Sequence, residues 1–223
     1  MFPLTLRNDA DARPLSVLCL GAHSDDIEIG CGGTIRRLLA TNANVDVHWV
    51  VLSSGPGRDR EARDSACRFL QGSRRQEVLV ENFRNGYFPF VGAEIKDFFE
   101  SRLKPIAPDL IFTHYRDDRH QDHRTVSDIT WQTFRDDLVL EYEVPKYDGD
   151  LGQPNLFVPL TAAQLKAKTD HLMSAFPSQR SKRWFTPETF AALPRLRGIE
   201  CGAPDGFAEA FYARKVVLQG TGA

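Results

Sequence analysis

Through the first 135 residues, short apolar runs alternate with stretches whose apolar residues recur at helical spacing. Residues 16–20, "SVLCL", form an apolar run ending at Gly21 and predict a buried strand. Residues 27–40 carry Ile27, Ile35, Leu38 and Leu39 around the basic pair Arg36 and Arg37, the pattern of an amphipathic helix, although Gly30, Gly32 and Gly33 weaken it. Residues 45–52, "VDVHWVVL", begin with alternation and end fully apolar, as a second strand. The loop "SSGPGR" leads to a helix over 59–70 with Ala62, Ala66, Phe69 and Leu70 on one side. "EVLVENF" reads as a third strand, 94–103 as a helix stopped by Pro105, and 109–114, "DLIFTH", as a fourth strand. The polar loop "YRDDRHQ" leads to a helix from His123 to about Phe134. Alternation of strand and helix predicts an α/β fold with a parallel sheet between helical layers. The continuously apolar strands agree, because such strands are covered on both sides.

Beyond residue 138 the pattern changes. "LEYEVP" predicts a further strand, "KYDGDLGQPN" a loop, and 161–174 a helix with Thr161 as its N-cap. Residues 177–206, rich in Pro, Gly and basic side chains, define no element, and "FAEAFYARKVVL" reads as a helix leading into a short final strand. No repeat, low-complexity segment or linker divides the chain, so one domain over 1–223 is expected.

Composition narrows the function classes. With 28 basic and 30 acidic residues the formal net charge is −2, which gives no electrostatic reason to expect nucleic acid or an anionic membrane as partner. Cys19, Cys31, Cys67 and Cys201 are scattered and include no C-x-x-C pair, which excludes a zinc ribbon or thioredoxin-type motif. Cys19 lies in an apolar strand, where an inert buried thiol is expected. The opening "MFPLTLRNDADARPLS" lacks the apolar core of a signal peptide, and no apolar run approaches membrane-spanning length. A reduced, cytoplasmic setting is therefore expected.

Two groups of polar residues stand at predicted strand ends, where open α/β sheets bind ligands. The first is His23-Ser24-Asp25-Asp26 after strand one, and the second is "HYRDDRHQDH", His114 to His123, after strand four. His23 and Asp26 lie three apart where a strand turns into a helix, so both can face one point. His120 and His123 are likewise three apart, and one or both could complete a three-ligand zinc site with an open position for water. Asp25 is then free to act as a base. Bland readings exist for each part. A lone Asp here is an ordinary helix cap, a lone H-x-x-H is a solvated loop, His48 is a packed histidine, and His171 lies on the surface. A nucleotide-binding loop fits poorly, since Gly30, Gly32 and Gly33 match neither G-x-G-x-x-G nor a Walker A sequence, and the aspartates would repel a pyrophosphate. The glycines then serve close packing of helix on sheet.

"GAHSDDIEIGCGGTI" resembles the A-H-P-D-D-x-E-x-G-x-G-G motif of the PIG-L/LmbE-like deacetylases, and "DRHQDHRTV" resembles their H-P-D-H motif. "SSGPGRDREARDSACRFL" resembles the loop and R-x-x-E-A helix between them, through Arg58, Glu61 and Ala62, with weaker likeness in "PSQ" and "AEAF". The resemblance covers about residues 15–135 and implies a Rossmann-like three-layer α/β/α sandwich. It implies a metal-dependent hydrolase that removes acetyl groups from N-acetylated sugars or related amides. The implied metal is zinc, with Fe²⁺ or Co²⁺ as alternatives. His23, Asp26 and His123 are the implied metal ligands, Asp25 the general base, His120 the oxyanion-stabilising group and Asp122 the residue that orients His120. Arg58 is implied in or near the substrate pocket. Ser24 and Gln121 replace motif prolines, and proline fixes φ where they do not. The loop "SSGPG" replaces a more acidic one.

The expected partner is a small N-acetylated sugar, free or linked to a nucleotide or lipid. A metal-dependent amidase on another acylated amine, or a catalytically silent metal-binding protein, are the competing readings. Tyr87, Phe88, Tyr142 and Tyr147 are candidates to stack on a sugar, with core or rim packing as the plain alternative, and Arg180, Lys182 and Arg183 to meet a phosphate. An aromatic-rich C-terminal region would suit a homo-oligomer.

Overall fold

A computed structural model describes residues 13–55 and 57–217. Residues 1–12 of the N-terminal segment read above for a leader sequence, Pro56 of the "SSGPG" loop and Leu218 of the "VVL" run lie outside the described residues. The strands are β1 (Leu15–His23), β2 (Val45–Ser53), β3 (Arg75–Val80), β4 (Leu110–His114), β5 (Leu138–Tyr142), β6 (Leu156–Leu160) and β7 (Phe207–Ala213). The helices are α1 (Asp26–Thr41), α2 (Asp59–Phe69), α3 (Gly92–Phe98), α4 (Gln121–Thr133), α5 (Ala162–Ala175) and α6 (Pro187–Cys201). One seven-stranded sheet runs in the order β3-β2-β1-β4-β5-β7-β6. β1 to β5 are parallel, β7 is antiparallel to β5, and β6 is antiparallel to β7.

The order of strands places the ligand-bearing ends. From β1 the chain moves outward through α1 to β2 and through α2 to β3. It then crosses back and sets β4 on the other side of β1. β1 and β4 are adjacent strands whose connections leave in opposite directions, the switch point at which open α/β sheets hold ligands. α1, α2, α5 and α6 cover one face over a core that includes Trp49, Phe69, Phe112, Phe176 and Phe190. α3 and α4 cover the other over Leu18, Leu20, Phe88, Phe99 and Ile111.

The parallel half follows the sequence expectation closely, and the C-terminal half departs from it. β6 was not expected, because Pro159 interrupts its apolar run. At the edge of the sheet the missing N–H costs no ladder bond. α6 was hidden by the interior Pro194 and by Gly198. It starts with Thr186 capping the Thr189 N–H and Pro187 in the first turn, where proline is favourable. Residues 207–213 form β7 where a helix was expected. The alternation of Phe207, Glu209, Phe211 against Ala208, Ala210, Tyr212 suits a strand held between β5 and β6, and this pairing overrides the helical preference of Ala and Glu.

Two close approaches explain the glycines of α1. A Cβ on Gly30 would lie 2.0 Å from the Tyr142 ring, and one on Gly33 would lie 2.7 Å from Leu160 and 2.9 Å from Glu209. Glu209 is buried here because α1 supplies donors. Its carboxylate accepts the Gly33 and Thr34 N–H groups (2.8 and 2.6 Å) and the ammonium of buried Lys168 (2.6 Å), which also donates to the Ile29 carbonyl. α1, α5 and β7 meet on that one carboxylate. Lys168→Met should leave Glu209 buried without its cation and destabilise the protein by about 3–5 kcal/mol. Gly30→Ala should cost about 1–3 kcal/mol by overpacking against Tyr142. Urea denaturation measures both, and a wild-type midpoint for either variant would contradict the packing described.

Candidate metal centre and active site

β1 delivers His23 at its carboxyl end, and the chain turns at once into α1. Ser24 is fully buried, and Asp25 and Asp26 are each 4 % exposed. Asp25 occupies the N-cap position, yet its side chain makes no capping bond. The Asp26 carboxylate folds back, and its Oδ2 accepts the His23 N–H at 2.7 Å. The turn thus presents two buried carboxylates toward the switch point.

α4 starts at Gln121 and brings in the second group. His23 Nδ1 lies 3.2 Å from His123 Nε2 and 3.3 Å from Asp26 Oδ2, and His123 Nε2 lies 3.5 Å from Asp26 Oδ2. Three ligand atoms about 2.0–2.2 Å from one tetrahedral centre would be roughly 3.3–3.6 Å apart. The triangle therefore fits a zinc-sized divalent cation, and its N, N, O donor set suits zinc and related metals. The ligand atoms of His23, His120 and His123 also lie within 4.8 Å of one another, as do those of Asp26, His114 and His123.

Both histidines of the triangle are backed by carboxylates. His23 Nε2–H donates to Asp122 Oδ2 at 3.2 Å, and His123 Nδ1–H donates to Asp118 Oδ2 at 2.9 Å. Such outer partners fix the ring orientation and leave the other nitrogen's lone pair for a metal. The Asp122 carboxylate, implied as the group that orients His120, faces His23, while its backbone N–H reaches His120. Its oxygens take His23 and the N–H groups of Gly86 (2.6 Å) and Phe88 (3.1 Å), while its own N–H donates to His120 Nδ1 at 3.3 Å. This last bond leaves the His120 proton on Nε2. Burial and the neighbouring His23 both lower the pKa of His120, so a neutral Nε2–H donor fits better than an imidazolium.

Charge is distributed unevenly over the cluster. Burial opposes ionisation of Asp26, but the facing His123, His114 and His23 outweigh it and hold its pKa well below the ordinary carboxylate value. Burial likewise opposes a charged His23, yet Asp26 and Asp122 push it up to about 10. Burial and His114 bring His123 down to about 3. Burial and the charge of Asp26 raise the pKa of Asp25, with Arg58 acting against them.

Arg58, expected at the substrate pocket, places its guanidinium 3.2 Å from Asp25 Oδ1. Asp25 Oδ2 is buried without a hydrogen-bond partner. Lys182, from the basic run considered for phosphate, adds a favourable field at Asp25. Ser24 and Gln121 replace the motif prolines, and both side chains reach a neighbouring loop. Ser24 Oγ–H donates to the Ser54 carbonyl (3.3 Å) and Gln121 Nε2–H to the Gly86 carbonyl (3.0 Å).

Other residues had no assigned role in the sequence. His114 forms the floor. Its Nε2 accepts the Ala22 N–H (2.9 Å), and its ring stacks on His123 at 3.9 Å. Its place at the end of an apolar strand was the available signal. Asp118 was one of several loop acids until folding set it on His123. Glu28 is buried two residues beyond Asp26 and accepts the Ser65 hydroxyl at 2.5 Å, and burial pushes its pKa up to about 8. His48 pairs with Glu77 (3.3 Å) away from the cluster. His171 is half-buried rather than on the surface, with Nε2 3.0 Å from Ser65 Oγ and its ring edge-on to Phe69. Of the aromatic candidates, Phe88 and Tyr142 are fully buried, while Tyr87 and Tyr147 are exposed.

The model of the PIG-L family, described as GlcNAc-PI de-N-acetylase, matches residues 18–134. An uncharacterized deacetylase of Escherichia coli is 27 % identical over 138 residues, 58 % of this chain and 74 % of its own. Three solved structures share the fold at lower identity. A conserved protein from Thermus thermophilus superimposes with a TM-score of 0.71 at 21 % identity, covering 92 % of this chain and 97 % of that one. An N,N'-diacetylchitobiose deacetylase from Pyrococcus horikoshii, complexed with an inhibitor, gives 0.65 at 22 %, covering 91 % and 84 %. A 4-carboxy-2-hydroxymuconate hydratase from Pseudomonas putida gives 0.67 at 16 %, covering 94 % and 100 %. The last shows that the fold by itself does not fix the chemistry. Among the described residues no helix is long and apolar enough to cross a membrane.

Without metal, His23 holds a proton up to about pH 10, and a ligand must release it. His123 is already neutral above about pH 3 and releases none in the neutral range. Zn²⁺ affinity should therefore rise roughly tenfold per pH unit between pH 6 and 9, with one proton released per ion. Calorimetry in buffers of different ionisation enthalpy measures this, and pH-independent affinity would remove His23 as a ligand.

Proposed function

Because the chain belongs to the PIG-L family of deacetylases, we propose that it is a metal-dependent hydrolase removing the acetyl group from an N-acetylated sugar or sugar conjugate. The observation that carries this reading is the His23–Asp26–His123 triangle with the unpartnered Oδ2 of Asp25 beside it. The family description and the sugar-directed Pyrococcus horikoshii enzyme support a sugar substrate. A nucleotide or lipid carrier fits the exposed basic run at Arg180, Lys182 and Arg183. The expected setting is the cytoplasm.

His23, Asp26 and His123 would hold a divalent cation, zinc before Fe²⁺ or Co²⁺. When bound, the ion supplies Lewis acidity, lowering the pKa of water toward about 7 and polarising the acetyl carbonyl. Asp25 is the general base. Arg58 holds one of its oxygens, the other is free to take a proton from the attacking water, and its raised pKa brings it nearer the working pH. The water oxygen bonds to the acetyl carbon, and the carbonyl π pair moves onto oxygen. His120, whose Nδ1 accepts the Asp122 N–H and so keeps its proton on Nε2, donates that Nε2–H to the developing oxyanion. Collapse breaks the C–N bond, and the proton held by Asp25 passes to the leaving nitrogen. The products are acetate and a free amine. Asp122 positions His23, and Asp118 positions His123.

Arg58 acts on Asp25 in this scheme, and a second role against substrate is open to the rest of its guanidinium. The competing amidase reading differs only in the amine released. A panel of free, nucleotide-linked and lipid-linked N-acetyl sugars, with acetate release followed by mass spectrometry, separates the two. Acetate from none of them would overturn the sugar reading. Asp25→Asn should keep stoichiometric metal and lose about 10²–10⁴ in kcat, and unchanged turnover would eliminate Asp25 as the base. His123→Ala should lose metal by elemental analysis, and phenanthroline should abolish turnover with recovery on adding Zn²⁺.

A further inference from the structure

The connection from β5 to β6 leaves the same carboxyl edge of the sheet that carries His23 and His114. It is fastened to the Asp118–Arg119 turn at two points. Lys146, with a side chain only 8 % exposed, sets its Nζ 2.9 Å from Asp118 Oδ2 and 2.7 Å from Asp150 Oδ2. Asp150 Oδ2 also accepts the Arg119 N–H at 2.7 Å. The Asp118 oxygen that receives Lys146 is the one that accepts His123 Nδ1–H at 2.9 Å. A single carboxylate oxygen is thus shared between a metal-ligand histidine and the ammonium that holds the loop. Between the anchors the loop turns at Gly149, with φ +59°, and exposes Tyr147 to solvent.

Bracing the loop alone would need only the Lys146–Asp150 pair. The shared oxygen adds a link to the cluster. A cation on His123 Nε2 would polarise the ring and strengthen its Nδ1–H bond to Asp118. The other Asp118 oxygen accepts the His120 N–H at 2.8 Å, so a stronger His123 bond would hold the acceptor of Lys146 more firmly from both sides. Resting on the metal reading above, we infer that Lys146 is a positioning residue that makes the order of the 146–151 loop depend on metal bound at His123.

The test is hydrogen–deuterium exchange of residues 144–152 in metal-free and Zn²⁺-loaded full-length protein, with metal content measured in parallel and α5 as control. In wild type, Zn²⁺ should slow exchange in this segment by roughly 2- to 30-fold and leave α5 unchanged. Lys146→Met should still bind one Zn²⁺ and lose the increment, and Lys146→Arg should keep it. Asp150→Ala releases the far end of the loop while leaving Lys146 on Asp118. It should shrink the increment, and it carries the test if Lys146→Met does not fold. A wild type that binds Zn²⁺ with no change in exchange, or an increment that survives in Lys146→Met or unchanged in Asp150→Ala, overturns the coupling alone. A wild type that takes up no Zn²⁺ overturns the metal reading and the coupling with it.

Discussion

A buried carboxylate stays ionised only where positive charge or donors replace the water it has lost, and Asp26 imposes that requirement on everything around it. The Asp26 oxygen accepts the His23 N–H and is approached by imidazole nitrogens of His23, His114 and His123. These side chains come from β1, β4 and α4, elements far apart in the chain. Their convergence depends on the crossover that sets β4 beside β1. The switch point is thus an electrostatic solution as well as a topological one. It sets the protonated His23 ring and the His23 N–H against one carboxylate, and the same gathering, with His123, makes a metal-sized triangle.

The outer partners extend this centre to the rim. Asp122 joins His23 to the Gly86–Phe88 turn, and Asp118 joins His123 to Lys146 and the β5–β6 loop. Ser24 and Gln121, standing at positions where the family motif has proline, add bonds to the loops after β2 and β3. A proline there would stiffen its own turn. A serine or glutamine ties that turn to the next one, so stiffness resides in cross-links between loops.

The C-terminal half has a comparable logic. Buried Glu143 accepts Arg197, the Tyr212 hydroxyl and the Gly152 N–H. Buried Glu141 accepts Arg116, the Trp131 indole and Arg214. With the Lys168–Glu209 pair, these ionic clusters fasten β7, α5 and α6 to the parallel half. Removing one partner from such a pair leaves an uncompensated charge, so this half of the fold is specified by polar pairing as well as by apolar packing.

How much was legible follows from the range of the interactions involved. The parallel strands and α1, α2 and α4 were readable because apolar period and turn chemistry are local, and the two polar groups were readable because each sits beside a strand end within a few residues. The sequence by itself determined an α/β sheet, a pair of ligand-bearing turns and the family likeness in their motifs. It did not determine which acid backs which histidine. Asp117 and Asp118 are alike as loop acids, Asp122 stands between two histidines, and only the docking of α4 against β1 and β4 sets Asp118 on His123 and Asp122 on His23. Nor did it determine β6, α6 and β7. An edge position excuses Pro159, a capped helix absorbs Pro194, and pairing between two strands turns the helix-prone "FAEAFYA" into a strand. These outcomes depend on partners distant along the chain or on the far side of the sheet, and no local pattern carries that information.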